Sequence, residues 1–403
     1  MSRFKSLIAL NISVFLMMLG NGMIVVLLPQ KMIDLSGSVG TVGYLASAFA
    51  VTYVLMQLPI GNLADKIGFK NLLICGYLLC GLTGLLYQWA GSPILILLGR
   101  SLQGVGEVPV WALAPALLSL QYASTKGKAI GIYNASFHLG LSLGPLLGLL
   151  MVRVLRQANV AFLFYALVSF VGALVIYQFV ENPRPSESIQ AERFDPSSIW
   201  AFVTNRLTLV VLIGIALYGA GYGLAVSVIP AFLISARGFD QASISISFSL
   251  FYVAISLSQL VVGPLSDKKG RQGFMVCGLI LAAIGLGLFS SVRQPWITAS
   301  LTLASLGLGT FCVSSMAYLN ECVSDSLKGT ISGAYYLFWG LGYFAWPMAA
   351  GATGGFIGLD AGFYLLSGLL VIETMLLIAV RAGRTKNETV QLDITQIETD
   401  HFL

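Results

Sequence analysis

The chain has 403 residues, of which 57% are hydrophobic and only 10% charged, with a net charge of +5. Soluble domains carry roughly 25% charged residues, so there are too few charges here to clothe a water-facing surface, and the positive excess is too scattered for a nucleic-acid-binding patch. The five cysteines (75, 80, 277, 312 and 322) form no C-x-x-C pair. They read as small packing residues, so no metal site and no cofactor is expected.

Apolar runs recur along the chain, each long enough to cross a bilayer of roughly 30 Å as a helix. Twelve spans are predicted, at about residues 6–29, 40–62, 71–90, 93–120, 127–151, 159–180, 205–230, 242–264, 272–292, 296–320, 328–350 and 359–381. In lipid each backbone N–H and C=O must be satisfied within its own segment, so the runs are expected to be helical. The short alternating segments of a β-barrel are absent. The first span is too long for a signal-peptide core and lacks an A-x-A exit, so it is expected to stay in place.

Lysine and arginine set the orientation. With the N-terminus inside, sixteen of them fall on the cytoplasmic side, five fall outside (Lys31, Arg153, Arg156, Arg237 and Arg293) and only Arg100 falls within a span. Both termini are therefore expected in the cytoplasm, and a bacterial inner membrane is the expected setting. The fold class expected is an all-α integral membrane protein of twelve transmembrane helices in two pseudo-symmetric six-helix bundles. Residues 1–180 form the first bundle, 181–204 a proline- and serine-containing linker, 205–383 the second bundle, and 384–403 a polar, flexible tail. A short amphipathic helix is expected near 196–202.

The halves are a tandem repeat. An offset of 202 takes Gly61 to Gly263, Asp65 to Asp267, Gly68 to Gly270, Gln57 to Gln259, Lys126 to Lys328, Tyr133 to Tyr335 and Pro145 to Pro347. Such self-similarity is the first thing to look for in a chain. With six spans per copy, both halves insert in the same orientation, an arrangement seen in transporters whose substrate site lies near mid-membrane between the halves.

Three patterns carry chemistry. The first is the polar loop Gly61-Asn-Leu-Ala-Asp65-Lys-Ile-Gly68-Phe-Lys, repeated as Gly263-Pro-Leu-Ser-Asp267-Lys-Lys-Gly270-Arg271. A carboxylate at a helix C-terminus is disfavoured and needs a positive partner. The second is Arg100-Ser-Leu-Gln103-Gly-Val-Gly, with Glu107 two turns beyond Arg100 on the same face. An arginine in mid-span costs roughly 2.5–3.5 kcal/mol on insertion scales. Burial favours the neutral form of Glu107 and the guanidinium favours its carboxylate. A group pulled both ways can load and release a proton, with water, Gln103 or another helix bridging to Arg100. A static polar network is the alternative. Pro109 and Pro115 are expected to kink this span. The third is Gly131, then Gly140-Leu-Ser-Leu-Gly144-Pro145-Leu-Leu-Gly148, a flat face for close helix packing.

These patterns resemble motifs A, B and C of the major facilitator superfamily, the last being the antiporter motif of drug and metabolite exporters. The resemblance covers nearly the whole chain, outside the linker and tail. It implies crossed contacts at the cytoplasmic side, Asp65 to the start of the eleventh span and Asp267 to the start of the fifth, which break when that side opens. It also implies that the Gly140/Gly144/Gly148 face packs against the eighth span. Several exporters carry an acid in their first helix. Here that span has Asn11, Ser13 and Asn21 but no carboxylate before Asp34, which moves the proton site to Glu107 and Arg100.

His138 reads either as a hydrogen-bonded structural residue or as a proton relay. Glu373 lies mid-way along the last span, a helix the resemblance puts at the periphery, and packing or a local hydrogen bond is expected of it. Glu321 and Asp325 read as gate or cap residues. The cavity candidates are Asn21, Gln103, Trp111, Asn134, Tyr218, Tyr222, Tyr318, Tyr336 and Trp339. The expected function is export of a small organic solute, drug-like or metabolic, in exchange for protons by alternating access. An uptake carrier of the same fold is the alternative, and a non-transporting membrane sensor is weaker. No enzyme activity is expected. The expected partners are the substrate, protons and lipid, and the expected state is a monomer.

Overall fold

A computed structural model describes residues 2–122, 126–155, 159–181, 205–322 and 328–400. The side chains of 2, 3, 58, 61, 62, 65, 126–128, 328–330, 355–357 and 381–400 lie outside the described set. The linker, its expected amphipathic helix, Asp325, the Asp65 contact and the helix starts that were to receive Asp65 and Asp267 therefore fall outside it.

The described chain is helical throughout, with no strand among its described residues. The first half comprises α1 (Ser2–Ser36), α2 (Gly43–Ile67), α3 (Phe69–Trp89), α4 (Pro93–Gln121), α5 (Lys126–Leu155) and α6 (Val160–Phe179). The second comprises α7 (Arg206–Val226) with its short continuation α8 (Val228–Ser235), then α9 (Gln241–Lys269), α10 (Arg271–Phe289), α11 (Trp296–Glu321), α12 (Lys328–Ile357) and α13 (Asp360–Asp400). Each predicted span is thus a helix, and the seventh is two. At the break, Ser227 leaves the helical region and its hydroxyl donates back to Gly223 O at 2.7 Å. Pro230, without an N–H, follows just beyond.

Among the described residues, ten helices are long and apolar enough to cross a bilayer on composition alone. The helices α4 and α12, with 29 and 30 residues, are long enough but diluted by polar, glycine and tyrosine positions. Both line the space between the halves. Leu55, Ile94, Leu167, Leu260 and Met375 face outward as an apolar belt, the surface that lipid covers. The last helix, α13, continues through Asp400, beyond the expected end of the second bundle at residue 383. Pro109 and Pro115 lie inside one unbroken helical run in α4.

The two halves repeat one packing scheme. In the first, α1 packs on α5 and α6, α2 on α4, and α3 on α4 and α6. In the second, α7 packs on α12 and α13, α9 on α11, and α10 on α11 and α13. The halves meet along α2–α12 and α5–α9. The repeat extends to backbone geometry. Gly68 ends α2 at φ 91°, ψ 146°, and Gly270 ends α9 at φ 88°, ψ 144°. Side chains rarely adopt that region, so glycine at matched positions makes the same sharp reversal twice.

Candidate functional site

Between the halves lies a cavity of about 370 Å³. Its wall includes Asn21 from α1, Arg100, Glu107, Trp111 and Pro115 from α4, Ile130, Asn134 and His138 from α5, and Tyr218 and Tyr222 from α7. Tyr336, Trp339 and Tyr343 from α12 close the far side. From mid-helix the cavity extends toward the lysine- and arginine-rich end, past Pro115, Ile130 and Met316.

The predicted Arg100–Glu107 pair is bridged by Gln103, on the α4 face all three share. The Gln103 amide nitrogen donates to Glu107 Oε1 at 2.8 Å and to Asn21 Oδ1 at 3.0 Å. Its carbonyl accepts from Arg100 Nη1 at 2.9 Å and from the Tyr87 hydroxyl at 2.8 Å. Glu107 also accepts from Asn21 Nδ2 at 2.9 Å and from Trp111 Nε1 at 3.2 Å. Arg100, Gln103 and Glu107 are all buried, at 5%, 0% and 2% exposure. A buried charge needs this full complement of donors and a counter-charge, and the network supplies both. Arg100 Nε donates to Leu45 O at 3.0 Å, and its guanidinium lies 4.9 Å from the centre of the Phe49 ring. Gln103 itself sits behind the cavity wall, and Tyr318 is buried and does not line it. The remaining cavity candidates, Asn21, Trp111, Asn134, Tyr218, Tyr222, Tyr336 and Trp339, all do.

Phe49 and Tyr53, which the sequence did not single out as cavity residues, complete the site beside the candidates already named. An aromatic cluster joins the halves where Phe49 meets Tyr343 at 5.8 Å and Tyr53 meets Trp339 at 5.8 Å, and it continues within the second half where Tyr222 meets Trp339 at 6.3 Å. His138 is in polar contact with Gln259 of α9, its Nδ1 buried without a partner. The signal for Gln259 was present in the repeat, where it matches Gln57, but the helix it faces was not.

The Gly140/Gly144/Gly148 face corrects the expectation drawn from the family. It packs on α1 of its own half, not on the eighth span. A Cβ on Gly144 would stand 2.5 Å from Leu19 O and 2.7 Å from Gly22 Cα, and one on Gly140 would stand 2.5 Å from Phe15 O. Gly22 faces back, 3.1 Å from Gly144 Cα and from Pro145 Cδ on the same measure. The reason is complementarity: Gly22 gives α1 a matching flat patch, whereas α5 presents His138 to α9. Gly148 is looser, at 3.4 Å from Met23.

Glu373 packs inside its own half. It is 2% exposed, turned toward Gly214 of α7 and Phe311 of α11, with one carboxylate oxygen unpartnered. At the loop after α9, Asp267 pairs with Arg271, which also binds Glu321 Oε1 at 2.8 Å and Ser266 Oγ at 2.7 Å. Gly263 has only Val313 nearby, at 3.8 Å.

At the end opposite the basic one the halves touch directly. Ser47 Oγ donates to Phe344 O at 2.6 Å, a Cβ on Gly40 would be 2.8 Å from Gly351 O, and Gly43 lies against Pro347. Two bundles of six helices, joined by paired helix contacts around a central polar cavity, constitute a transporter architecture. The Major Facilitator Superfamily profile matches residues 10–211 and 211–397. The chain belongs to the Major Facilitator Superfamily. It is therefore an integral, multi-pass membrane transporter.

Among its relatives, the quinolone resistance protein NorA of Staphylococcus aureus strain MRSA252 is 23% identical over 95% of this chain and 98% of its own. The class H tetracycline resistance protein of Pasteurella multocida is 24% identical over 82% of this chain and 84% of its own. Among solved structures, the nucleoside transporter NupG superposes with a TM-score of 0.75 at 15% identity, covering 93% of this chain and 98% of that one. A bacterial homologue of the human lysosomal transporter Spinster, in an inward-facing, occupied conformation, reaches 0.75 at 18% identity, over 94% and 97%. At these identities the structural likeness speaks for the fold.

Proposed function

We propose that this transporter exports a small organic solute in exchange for protons, with Glu107 as the proton-carrying group. The observation that carries the reading is a buried carboxylate in the cavity wall, tied through one amide to a buried guanidinium. Ion pairs at mid-membrane are expensive and mark coupling sites. Loading a proton on Glu107 leaves Arg100 as an uncompensated positive charge in the cavity wall, so proton and substrate favour different charge states of one site. Export is the direction suggested by the antiporter-type glycine motif and by the resistance proteins among the relatives. We take the lysine- and arginine-rich end as cytoplasmic, which puts both termini inside and the Ser47–Phe344 contact at the outer end, and we take a bacterial inner membrane as the setting. The carrier works as a monomer in this reading.

The test is untargeted mass spectrometry of cells and medium, comparing the native protein, Glu107→Gln and an empty vector. The expected result is a compound enriched in the medium only with the native protein. A compound depleted from the medium by the native protein would make this an importer and sink the antiport reading.

A further inference from the structure

We propose that the solute is a flat, fused aromatic molecule that lies across the axis relating the two halves, its hydrogen-bond acceptor turned toward Tyr336 and Trp339 of α12 and its donor toward Asn134 of α5. The inference rests on the cavity being the substrate site of the transporter. It depends neither on the direction of transport nor on Glu107 carrying the proton.

The repeat builds the two facing walls. The offset of 202 pairs Tyr133 with Tyr335, Asn134 with Tyr336 and Phe137 with Trp339, and all six side chains line the cavity. Within each helix the three positions fall inside about one turn, so α5 and α12 present equivalent patches from opposite halves. A solute in contact with both patches lies across the axis between them.

The patches are equivalent in place but not in chemistry. The Tyr133 hydroxyl donates to Val110 O at 2.8 Å, and the Tyr335 hydroxyl donates to Cys312 Sγ at 3.4 Å. Those two are engaged within their own halves. The Asn134 carboxamide, the Tyr336 hydroxyl and the Trp339 indole N–H have no hydrogen-bond partner among the described residues. Asn134 is exposed, Tyr336 and Trp339 are half-buried, and neither the hydroxyl nor the indole nitrogen is sealed off by burial.

Those three groups set the orientation. An indole N–H only donates, and a phenol has one proton to donate. The α12 patch therefore offers two donors one turn apart, suited to a carbonyl or ring nitrogen. A carboxamide both donates and accepts, so Asn134 can take the hydroxyl or amino group left at the other end. Rings fill the space between. Trp111 meets Phe137 at 4.3 Å on one side, and Trp339 meets Tyr343 at 4.8 Å on the other. Such clusters favour offset or edge-to-face contact with a further ring. The cavity of about 370 Å³ is at the small end of the roughly 300–1,000 Å³ usual for ligand sites, which suits fused rings better than an extended chain.

The experiment is equilibrium dialysis of the purified full chain in phosphatidylcholine nanodiscs, with empty nanodiscs subtracted, at mildly acid pH where phenols are neutral. Four probes share one bicyclic shape: 7-hydroxycoumarin carries a carbonyl and a hydroxyl, coumarin only the carbonyl, 2-naphthol only the hydroxyl, and naphthalene neither. The native chain should bind 7-hydroxycoumarin tightest and naphthalene weakest. Tyr336→Phe, which removes only a hydroxyl, should weaken 7-hydroxycoumarin and coumarin about two- to tenfold, the worth of one neutral hydrogen bond, and leave 2-naphthol unchanged. Trp339→Phe should weaken the two carbonyl probes more than 2-naphthol. Asn134→Leu should weaken 7-hydroxycoumarin and 2-naphthol and leave coumarin unchanged. A merely structural role for these residues would move all four probes alike. No preference for 7-hydroxycoumarin over naphthalene, a uniform loss across the probes, or the crossed pattern, with Tyr336→Phe acting on 2-naphthol and Asn134→Leu on coumarin, would overturn the proposal. Each of those results would leave proton-coupled export standing, whereas import, or export indifferent to Glu107→Gln, would sink that reading and leave this binding pattern as expected.

Discussion

Substituting Gly144 by alanine tests the most direct correction the structure makes. The added methyl would stand 2.5 Å from Leu19 O and 2.7 Å from Gly22 Cα. Both obstacles are backbone atoms of α1, so no side chain can rotate away. Close packing of small residues is what holds such membrane helices together, and overpacking a well-filled contact costs about 1–3 kcal/mol. The expected outcome is a loss of that size, read as earlier thermal unfolding of the purified protein in detergent. A double-mutant cycle locates the contact. Gly22→Ala alone meets Leu141 O at 2.8 Å, and once either methyl has pushed α1 and α5 apart the second costs less. The two changes should therefore be non-additive by about 0.5–3 kcal/mol, the range for residues in contact. Ser249→Ala on α9 should add independently to Gly144→Ala. Additivity with Gly22, or coupling with Ser249, would refute the α1–α5 assignment and return the glycine face to the interface between halves. The consequence is functional: a tight α1–α5 seam lets the first six helices move as one body.

Two further outcomes are expected. Gln103→Leu keeps the shape of the side chain but removes four hydrogen bonds, to Arg100, Tyr87, Asn21 and Glu107. Each buried group left unpaired costs about 1–3 kcal/mol, so the protein should be clearly less stable to heat and transport should lose its dependence on the proton gradient; native behaviour on both would make the network incidental. Asp240 caps the start of α9 by accepting from Ser243 N at 2.9 Å, and hydrogen bonds from Ser243 hold its carboxyl below the ordinary range. A depressed carboxylate contributes stability above its unfolded value, about 3.9, and that contribution is lost as pH falls through the folded value. Asp240→Asn, which keeps a capping oxygen, should flatten this acid dependence in thermal unfolding while leaving stability near neutrality almost unchanged.

Much of the site was legible because it is local. Arg100, Gln103 and Glu107 recur at helical spacing, so one helix face brings them together wherever that helix goes. Gly68 and Gly270 share a backbone conformation because the repeat places glycine at the same point of the same turn, and that choice depends on neighbours in sequence. Hydropathy alone was enough to require helices, since lipid offers the backbone no other partner. The identity of the partner across each interface was not local. Periodicity says which residues share a face, not how a neighbouring helix is rotated to meet it. That rotation decided that the Gly144 face meets Gly22 of α1, that Glu373 turns toward Gly214, and that His138 finds Gln259. It also brought Asn21 and Tyr87 into the α4 network and set Tyr343 against Phe49. Sequence determined a twice-written six-helix membrane protein with a charged pair in its fourth helix. Tertiary packing decided which surfaces that pair can act upon, because contacts between helices far apart in the chain depend on the shapes of both faces at once.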